Sequence, residues 1–251
     1  MYFDTLSYHR AGGTKTMADP ARKRLTREES RAQTRERLMD AAFDLFAREG
    51  IEATSIDHIA EAAGYSRGAF YSNFETREEI LFAVAERELE KNTAGMRELA
   101  ALGGTPAERL AHIRRFAIEI PTRHEECQFY LELEAYGMRH PEARARVADF
   151  TRRDREASIA YMEALLAEGG VGPEAPSAEL MVGSFISLAQ GLTMRHIVEG
   201  DAFPFSMVEE SLKVYFDAVV DRYVRPALER ASSTSSNRPS RAGVASTKRT
   251  R

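Results

Sequence analysis

Apolar residues recur at three- and four-residue spacing along most of this chain, which is the pattern of amphipathic helices. One apolar stripe ends at Gly50 and a shorter one ends at Gly64, where glycine can close a helix. A third short helix is predicted to carry Phe70 and Phe74 on one face. The first stripe consists of Leu38, Ala41, Ala42, Leu45 and Phe46, and the second of Ile56, Ile59, Ala60 and Ala63.

Helix start and stop signals predict the rest of the fold. Thr76 and Glu79 have the spacing of a capping box, and so do Thr105 and Glu108. Pro121 is predicted to end the helix that Thr105 begins. Since no window alternates as a strand does, we predict an all-α fold of about nine helices. The later helices are predicted over about 125–139, 141–168, 177–200 and 206–226, the last opened by Ser206 and Glu209.

The stretch AAGYSRGAFYSNF, with Gly64 near its start, has the form of a helix-turn-helix, whose second helix lies in the major groove of DNA. Phe70 and Phe74 would pack that helix onto its core. Arg67 would reach a guanine, and Gly68 would let the backbone approach closely. The alternative is a helix-turn-helix shape used only for packing. The predicted DNA contacts are Thr54, Ser55, Ser66, Arg67, Gly68, Tyr71, Ser72, Asn73 and Arg77.

These motifs resemble the N-terminal domain of the TetR-type (TetR/AcrR) family of transcriptional regulators. The resemblance covers about Thr34 to Leu81 and rests on RERLMDAAFDLFAREGIEATSIDHIA and EAAGYSRGAFYSNFETREE, followed by ILFAVAERELE. It implies a homodimeric repressor, released from a palindromic double-stranded DNA operator by a small, largely apolar molecule. The family commonly has His and Lys where this chain has Asn73 and Arg77, and both replacements still donate hydrogen bonds to phosphate.

The chain divides into four predicted segments. Residues 1–24 read as a disordered basic arm and residues 231–251 as a disordered basic tail. Residues 25–82 are predicted to form the helix-turn-helix domain. By resemblance, residues 83–230 form the ligand-binding and dimerisation domain.

Two sets of residues are candidates in the larger domain. Rings, sulfurs and a few polar groups at helical spacing suit a small-ligand site, with the alternative that most of these residues are ordinary core. Small residues on one helix and an apolar face on the next suit a dimer interface, with packing inside one chain as the alternative. The ligand candidates are Phe129, Glu132, Leu133, Tyr136, Phe150, Tyr161, Phe185, Met194 and His196. The dimer candidates are Gly183, Ser187, Gly191, Tyr215, Val219 and Tyr223.

Composition narrows the function classes. The formal net charge of -4 favours no nucleic-acid partner by itself, so a DNA-binding surface must be a local patch. Cys127 is the only cysteine, which fits a reducing cytoplasm. No apolar run has the length of a membrane span, so we expect no membrane partner.

An enzyme is the rival class, together with a pure protein-interaction module. The chain contains no GxGxxG, Walker loop, GxSxG or HExxH motif, so we expect no catalysis and no cofactor. His124 and Cys127 lie near Glu125 and Glu126, but adjacent helical residues point in different directions, so we expect no metal.

Overall fold

The computed structural model describes residues 26–119, 123–228 and 230, and these form nine α-helices and no strand. The all-α prediction is confirmed. The helices are α1 (Arg27–Glu49), α2 (Ile56–Ala62), α3 (Arg67–Tyr71), α4 (Arg77–Ala101), α5 (Pro106–Arg114), α6 (Arg123–Arg139), α7 (Pro141–Glu168), α8 (Ala178–Glu199) and α9 (Phe205–Val219). The predicted arm, the predicted tail and Pro121 lie outside the described residues.

Side-chain caps fix most helix starts. Thr105 and Glu108 form a complete capping box at the start of α5. The box predicted for α4 is only half formed. The Thr76 hydroxyl accepts from the N–H of Glu79, but the Glu79 carboxylate accepts from the N–H of Glu75 instead of that of Thr76.

The start of α9 differs from its prediction. The helix begins at Phe205, so Ser206 lies inside the first turn and its hydroxyl does not cap the helix. Pro204 is the N-cap residue instead, because its extended backbone directs the chain into the helix. The end of α9 continues into a π-helical turn, Val220–Val224.

The first hydrophobic core, called here the N-terminal core, joins α1, α2, α3 and the first half of α4 to α6 and α7. Its centre includes Phe46, Phe70, Phe74 and Phe129, none of them more than 1% exposed. The predicted domain boundary at residue 82 falls inside α4, which continues without a break to Ala101. Helix α4 is therefore shared by the two predicted domains.

The second hydrophobic core, called here the C-terminal core, is built from α5, α7, α8 and α9. Leu165 of α7 and Val208 of α9 are its most buried residues, each 1% exposed. Many of its other members are only partly buried, among them Phe185 and Tyr161. These half-buried rings border a space inside the helices, which is described below.

Candidate functional site

The turn between α2 and α3 has the geometry of a helix-turn-helix. Gly64 has φ of 76°, a conformation that a residue with a side chain adopts only with strain. Two hydroxyls cap the two helices. Ser55 accepts from the N–H of His58, and Ser66 accepts from the N–H of Ala69. These two predicted DNA contacts therefore also set where α2 and α3 begin.

Four of the predicted DNA contacts lie together on the exposed surface of α3 and at its end: Arg67, Gly68, Tyr71 and Ser72. Tyr71 is 45% exposed, which is unusual for a large ring. The Arg67 guanidinium donates to Asp57 at 2.8 Å and to the Tyr71 hydroxyl at 3.3 Å. The hydrogen bond with Tyr71 and, after it, the charge of Asp57 raise the pKa of Arg67. The guanidinium is thus charged and held on the exposed face.

The remaining predicted DNA contacts are turned toward the protein. Thr54 is fully buried, and its hydroxyl donates to the carbonyl of Gly50 at 2.8 Å. Arg77 donates to the carbonyls of Glu52 at 3.0 Å and of Thr54 at 3.2 Å. The side-chain amide of Asn73 is buried and donates to the carbonyl of Ala69 at 2.8 Å. In this structure these groups hold the backbone around α2 and α3, and their side chains are not presented to a phosphate.

Sequence reasoning missed the contact that fixes the end of α3. Arg35 of α1 donates to the carbonyl of Asn73 at 2.7 Å, and its guanidinium lies 4.0 Å from the centre of the Phe74 ring. This pairing spans 38 residues, so no local spacing signals it. It anchors the end of the recognition helix to α1.

A cavity of about 240 Å³ lies between α4, the end of α5, α6, α7, α8 and α9. Two predicted ligand residues, Tyr161 and Phe185, line it. Burial raises the pKa of Tyr161. Each lining helix presents one stripe at helical spacing, for example Asp154, Ser158 and Tyr161 along α7.

The other seven predicted ligand residues are not among those that line the cavity. Glu132 accepts from the N–H of Ile51 at 3.3 Å. Met194 is 56% exposed, and a ring nitrogen of His196 lies 2.8 Å from the carbonyl of Phe203. Four belong to the N-terminal core because their face of α6 or α7 is turned toward α1 and α4: Phe129, Leu133, Tyr136 and Phe150. We therefore do not retain these seven residues in the proposed ligand site.

The predicted dimer residues also fall into two groups, one at the cavity and the C-terminal core and one on the outer side of α8. Tyr215 and Val219 line the cavity, and Tyr223 packs against the C-terminal core. On α8, a side chain added at Gly183 or Gly191 would meet no atom within 4 Å. That side of α8 faces open space, together with the exposed residues Leu180, Ser187, Met194 and Val198.

Sequence reasoning missed the polar side chains of the cavity. Asp154 accepts from the side-chain amide of Asn92 at 2.8 Å and from the hydroxyl of Tyr130 at 3.1 Å. Glu134 accepts from the side-chain amide of Gln190 at 3.1 Å. A possible signal was present, because Glu126, Tyr130 and Glu134 recur every four residues along α6.

Over the described part of the chain, no helix combines the length and the apolarity that crossing a bilayer requires. Over the same residues, no three His, Cys, Asp or Glu side chains are grouped as metal ligands would be.

Comparison with known proteins assigns the chain to a class. The sequence model described as bacterial regulatory proteins, tetR family, matches residues 38–84. The model described as BetI-type transcriptional repressor, C-terminal, matches residues 106–221. The chain therefore belongs to the TetR family of bacterial transcriptional regulators, as the N-terminal motifs predicted.

Individual relatives match over parts of their length. The HTH-type transcriptional regulator AcrR of Shigella flexneri is 32% identical over 97 residues, which are 39% of this chain and 44% of that protein. The HTH-type transcriptional repressor AcnR of Corynebacterium efficiens is 28% identical over 116 residues, 46% of this chain and 57% of that protein. The chain thus spans less than two thirds of the length of these curated relatives.

Solved structures share the fold over about three quarters of this chain. A transcriptional regulator from Saccharomonospora viridis, in complex with choline, superposes with a TM-score of 0.61 at 17% identity, over 74% of this chain and 96% of that one. A TetR-family regulator from Rhodococcus sp. superposes with a TM-score of 0.61 at 21% identity, over 75% of this chain and 98% of that one.

Proposed function

We propose that this protein is a cytoplasmic, non-enzymatic transcriptional repressor that binds a palindromic operator as a homodimer and is released by a small molecule. The observation that carries the proposal is the surface of α3. Its N-terminal turn is exposed and presents Arg67 and Gly68, while Phe70 behind it is fully buried. One face is packed and the opposite face is free to enter the major groove.

In this proposal Arg67 reads a base and the groups around it position the helix. An arginine that reaches the major groove pairs best with guanine, through two parallel hydrogen bonds. Tyr71 and Ser72 are exposed near Arg67 and are suited to phosphate. Thr54, Asn73 and Arg77 act indirectly, by holding the backbone through the carbonyl contacts described above.

The dimer is proposed to form through α8 and α9. Both helices expose apolar side chains in the described part of the chain, including Leu180 and Met194 on α8 and Met207 and Val214 on α9. Two such faces related by a two-fold axis would form a four-helix interface. On α9 we propose Val214, which is 62% exposed, as the interface residue instead of Tyr215, which lines the cavity.

The cavity is proposed as the effector site. It is enclosed by helices of both regions, since α4 and α6 also belong to the N-terminal core. A ligand that favours a different arrangement of α4 or α6 would alter the spacing of two recognition helices in a dimer. Such coupling is typically worth about 1–3 kcal/mol, or roughly 5- to 150-fold in operator affinity. The choline complex of the related fold is in keeping with a small-molecule effector.

The proposal is tested by gel-shift selection with fragments of the source genome, followed by footprinting of the bound fragments. A palindromic footprint protected by the parent protein is expected. Arg67→Ala should weaken it by about 1–3 kcal/mol and relax preference at one position in each half-site. Arg97→Ala, which removes an exposed arginine from the far end of α4, is the control. Failure to select any fragment would favour the rival class, an enzyme or interaction module.

A further inference from the structure

The loop between α1 and α2, residues 50–55, is directed toward α6. Gly50 has φ of 90° and ψ of 152°, which is not the left-handed helical conformation in which a terminal glycine commonly returns the next N–H groups to its own helix. The N–H of Ile51 instead donates to the Glu132 carboxylate of α6 at 3.3 Å. Ile51 is fully buried, so the surroundings of this hydrogen bond strengthen it relative to one in water.

The same loop fits closely against Glu132. A Cβ added at Gly50 would lie 3.1 Å from a carboxylate oxygen of Glu132, which leaves little room for a side chain there. The Thr54 hydroxyl donates to the carbonyl of Gly50 at 2.8 Å and ties the two ends of the loop together. Ser55 follows directly and caps α2. A displacement of the loop at Glu132 would therefore be carried into the first turn of α2.

Two further side chains hold the loop at the far end of α6. The Glu52 carboxylate accepts from Nε of Arg139 at 3.1 Å, and Nε2 of His140 lies 3.1 Å from the same oxygen. Arg139 and His140 follow Glu132 by about two helical turns, or roughly 10–12 Å along the axis. The contacts of Glu132, Arg139 and His140 with residues 50–55 are called here the loop clamp, and they attach the loop at two separated points.

The loop clamp is a directional connection between the helix-turn-helix and the rest of the chain. Helix α4 is the covalent connection, because it begins a few residues after α3 and continues to Ala101. Apolar packing in the N-terminal core also joins α1 to α6, but hydrophobic contacts are non-directional. Hydrogen bonds weaken steeply when their angle changes. The loop clamp therefore resists a rotation of α2 and α3 about α4 that apolar contacts alone would tolerate.

We propose that the loop clamp fixes the orientation of the helix-turn-helix on α6 and thereby determines how well a dimer distinguishes operators of different half-site spacing. The inference rests on the proposed function, since it takes the protein to be a dimer that reads two half-sites. The accepted spacing follows from the positions of the two recognition helices, so a helix-turn-helix free to rotate would accept several spacings. Glu132 is then a positioning residue. The rival explanation is that Glu132 contributes only to the stability of the fold.

Three variants separate positioning from stability. Glu132→Ala removes the acceptor for the N–H of Ile51. Glu132→Gln keeps an oxygen that can accept from this N–H, so it should behave as the parent does. Leu165→Val removes one buried methylene from the C-terminal core, away from residues 50–55, and is the control for lost stability.

The main measurement is the penalty for a wrong half-site spacing. One base pair is added or removed between the half-sites of the selected operator, and the ratio of the two dissociation constants is measured for each full-length protein at one salt concentration. A hydrogen bond typically contributes about 2- to 12-fold to an equilibrium constant, so Glu132→Ala should lower the ratio about twofold or more. Glu132→Gln and Leu165→Val should keep the parent's ratio. An unchanged ratio in Glu132→Ala would overturn the inference.

A second measurement needs no DNA. Cys127 is the only cysteine, so a Cys127→Ser background with Glu61→Cys on α2 and Ala160→Cys on α7 carries two spin labels at exposed positions. Pulsed electron paramagnetic resonance of labelled protein diluted with unlabelled protein gives the distribution of distances between α2 and α7 within one chain. We expect Glu132→Ala to widen this distribution, and Glu132→Gln and Leu165→Val to leave it as in the parent.

The two proposals fail in distinguishable ways. If Glu132→Ala widens the distance distribution but no genomic fragment is selected, the positioning role of the loop clamp holds and the proposed function fails. If an operator is found and Glu132→Ala keeps the parent's spacing ratio or the parent's distance distribution, the function holds and the inference about the loop clamp fails.

Discussion

The N-terminal core is packed more closely than the C-terminal core. The twelve largest side chains with less than 2% exposure in the described residues all belong to the N-terminal core. The C-terminal core contains a cavity of about 240 Å³ and many half-buried rings. Close packing fixes the shape of an element that must match a DNA groove, whereas a cavity provides space for a ligand.

The outer surface of the C-terminal region also exposes more large hydrophobic side chains than that of the N-terminal region. Of the nine large hydrophobic side chains that are exposed in the described residues, six lie on α8 and α9 and one, Tyr71, lies on α3. Exposed apolar patches of this kind mark interaction surfaces. Within the described residues, the N-terminal core is thus closely packed, while the C-terminal region has the cavity that we propose for a ligand and the exposed face that we propose for a second copy.

The difference in packing predicts unequal effects for two phenylalanines. Phe129→Ala should destabilise the protein by about 3–5 kcal/mol, because it opens a void in the N-terminal core. Phe185→Ala should cost only about 1–2 kcal/mol, because one side of that ring already borders the cavity. Urea unfolding of both variants measures the two losses. Equal losses would show that the cores are packed alike.

Sequence reasoning succeeded where the signal is local. Gly64 and the pair Phe70 and Phe74 lie within eleven residues of the sequence, and they indicated the helix-turn-helix. Ser55 and Ser66 were predicted as DNA contacts, and their capping role was not predicted. The end of α3 also depends on Arg35, which is distant in the sequence and gave no such signal.

The ligand site could not be predicted in the same way. On α6, Phe129 and Leu133 face the N-terminal core, while the adjacent residues Tyr130 and Glu134 face the cavity. Successive residues of a helix differ in direction by about 100°, so the choice between these faces depends on where α1, α7 and α8 pack against α6. Periodicity identifies an apolar stripe but not its partner helix.

The open face of α8 predicts that association is sensitive to bulk. Gly191→Leu should weaken dimerisation at least about tenfold, or 1.4 kcal/mol, because a Cβ at this position meets no atom of the described residues within 4 Å and the added side chain would obstruct a partner's helix. Ala145→Leu adds similar bulk to an exposed position on α7 and is the control. Sedimentation velocity across a concentration series gives both constants. Unchanged association of the Gly191 variant would place the interface elsewhere.

The exposed surface of the N-terminal region predicts a smaller effect on specificity. Asp57→Asn removes the carboxylate that holds Arg67, so the preference for guanine should fall by up to about 1 kcal/mol while nonspecific DNA binding rises. Glu61→Gln removes the same charge from α2, and no hydrogen bond or ion pair in this structure joins it to Arg67. Binding to operator variants and to random DNA distinguishes them. Identical behaviour of the two variants would mean that Asp57 acts only through its charge.

The smallest expected effect is that of replacing His140. Its Nδ1 lies 3.0 Å from a carboxylate oxygen of Glu142, and its Nε2 lies 3.1 Å from a carboxylate oxygen of Glu52. These hydrogen bonds, that with Glu142 first, raise the pKa of His140 above its usual 6.5. The stabilisation of the fold by protonated His140 is therefore fully present below pH 6.5, and it is lost as the pH rises through the raised pKa of His140. The hydrogen bond with His140, followed by that with Arg139, lowers the pKa of Glu52 from 4.5, so the share of Glu52 is present above pH 4.5 and is lost as the pH falls through the lowered value. His140→Gln should thus reduce the urea midpoint most between pH 4.5 and 6.5 and least at pH values above the raised pKa of His140. A difference from the parent that stays constant across this range would show that His140 contributes by packing against Tyr136, whose ring centre is 4.1 Å away, and not by its charge.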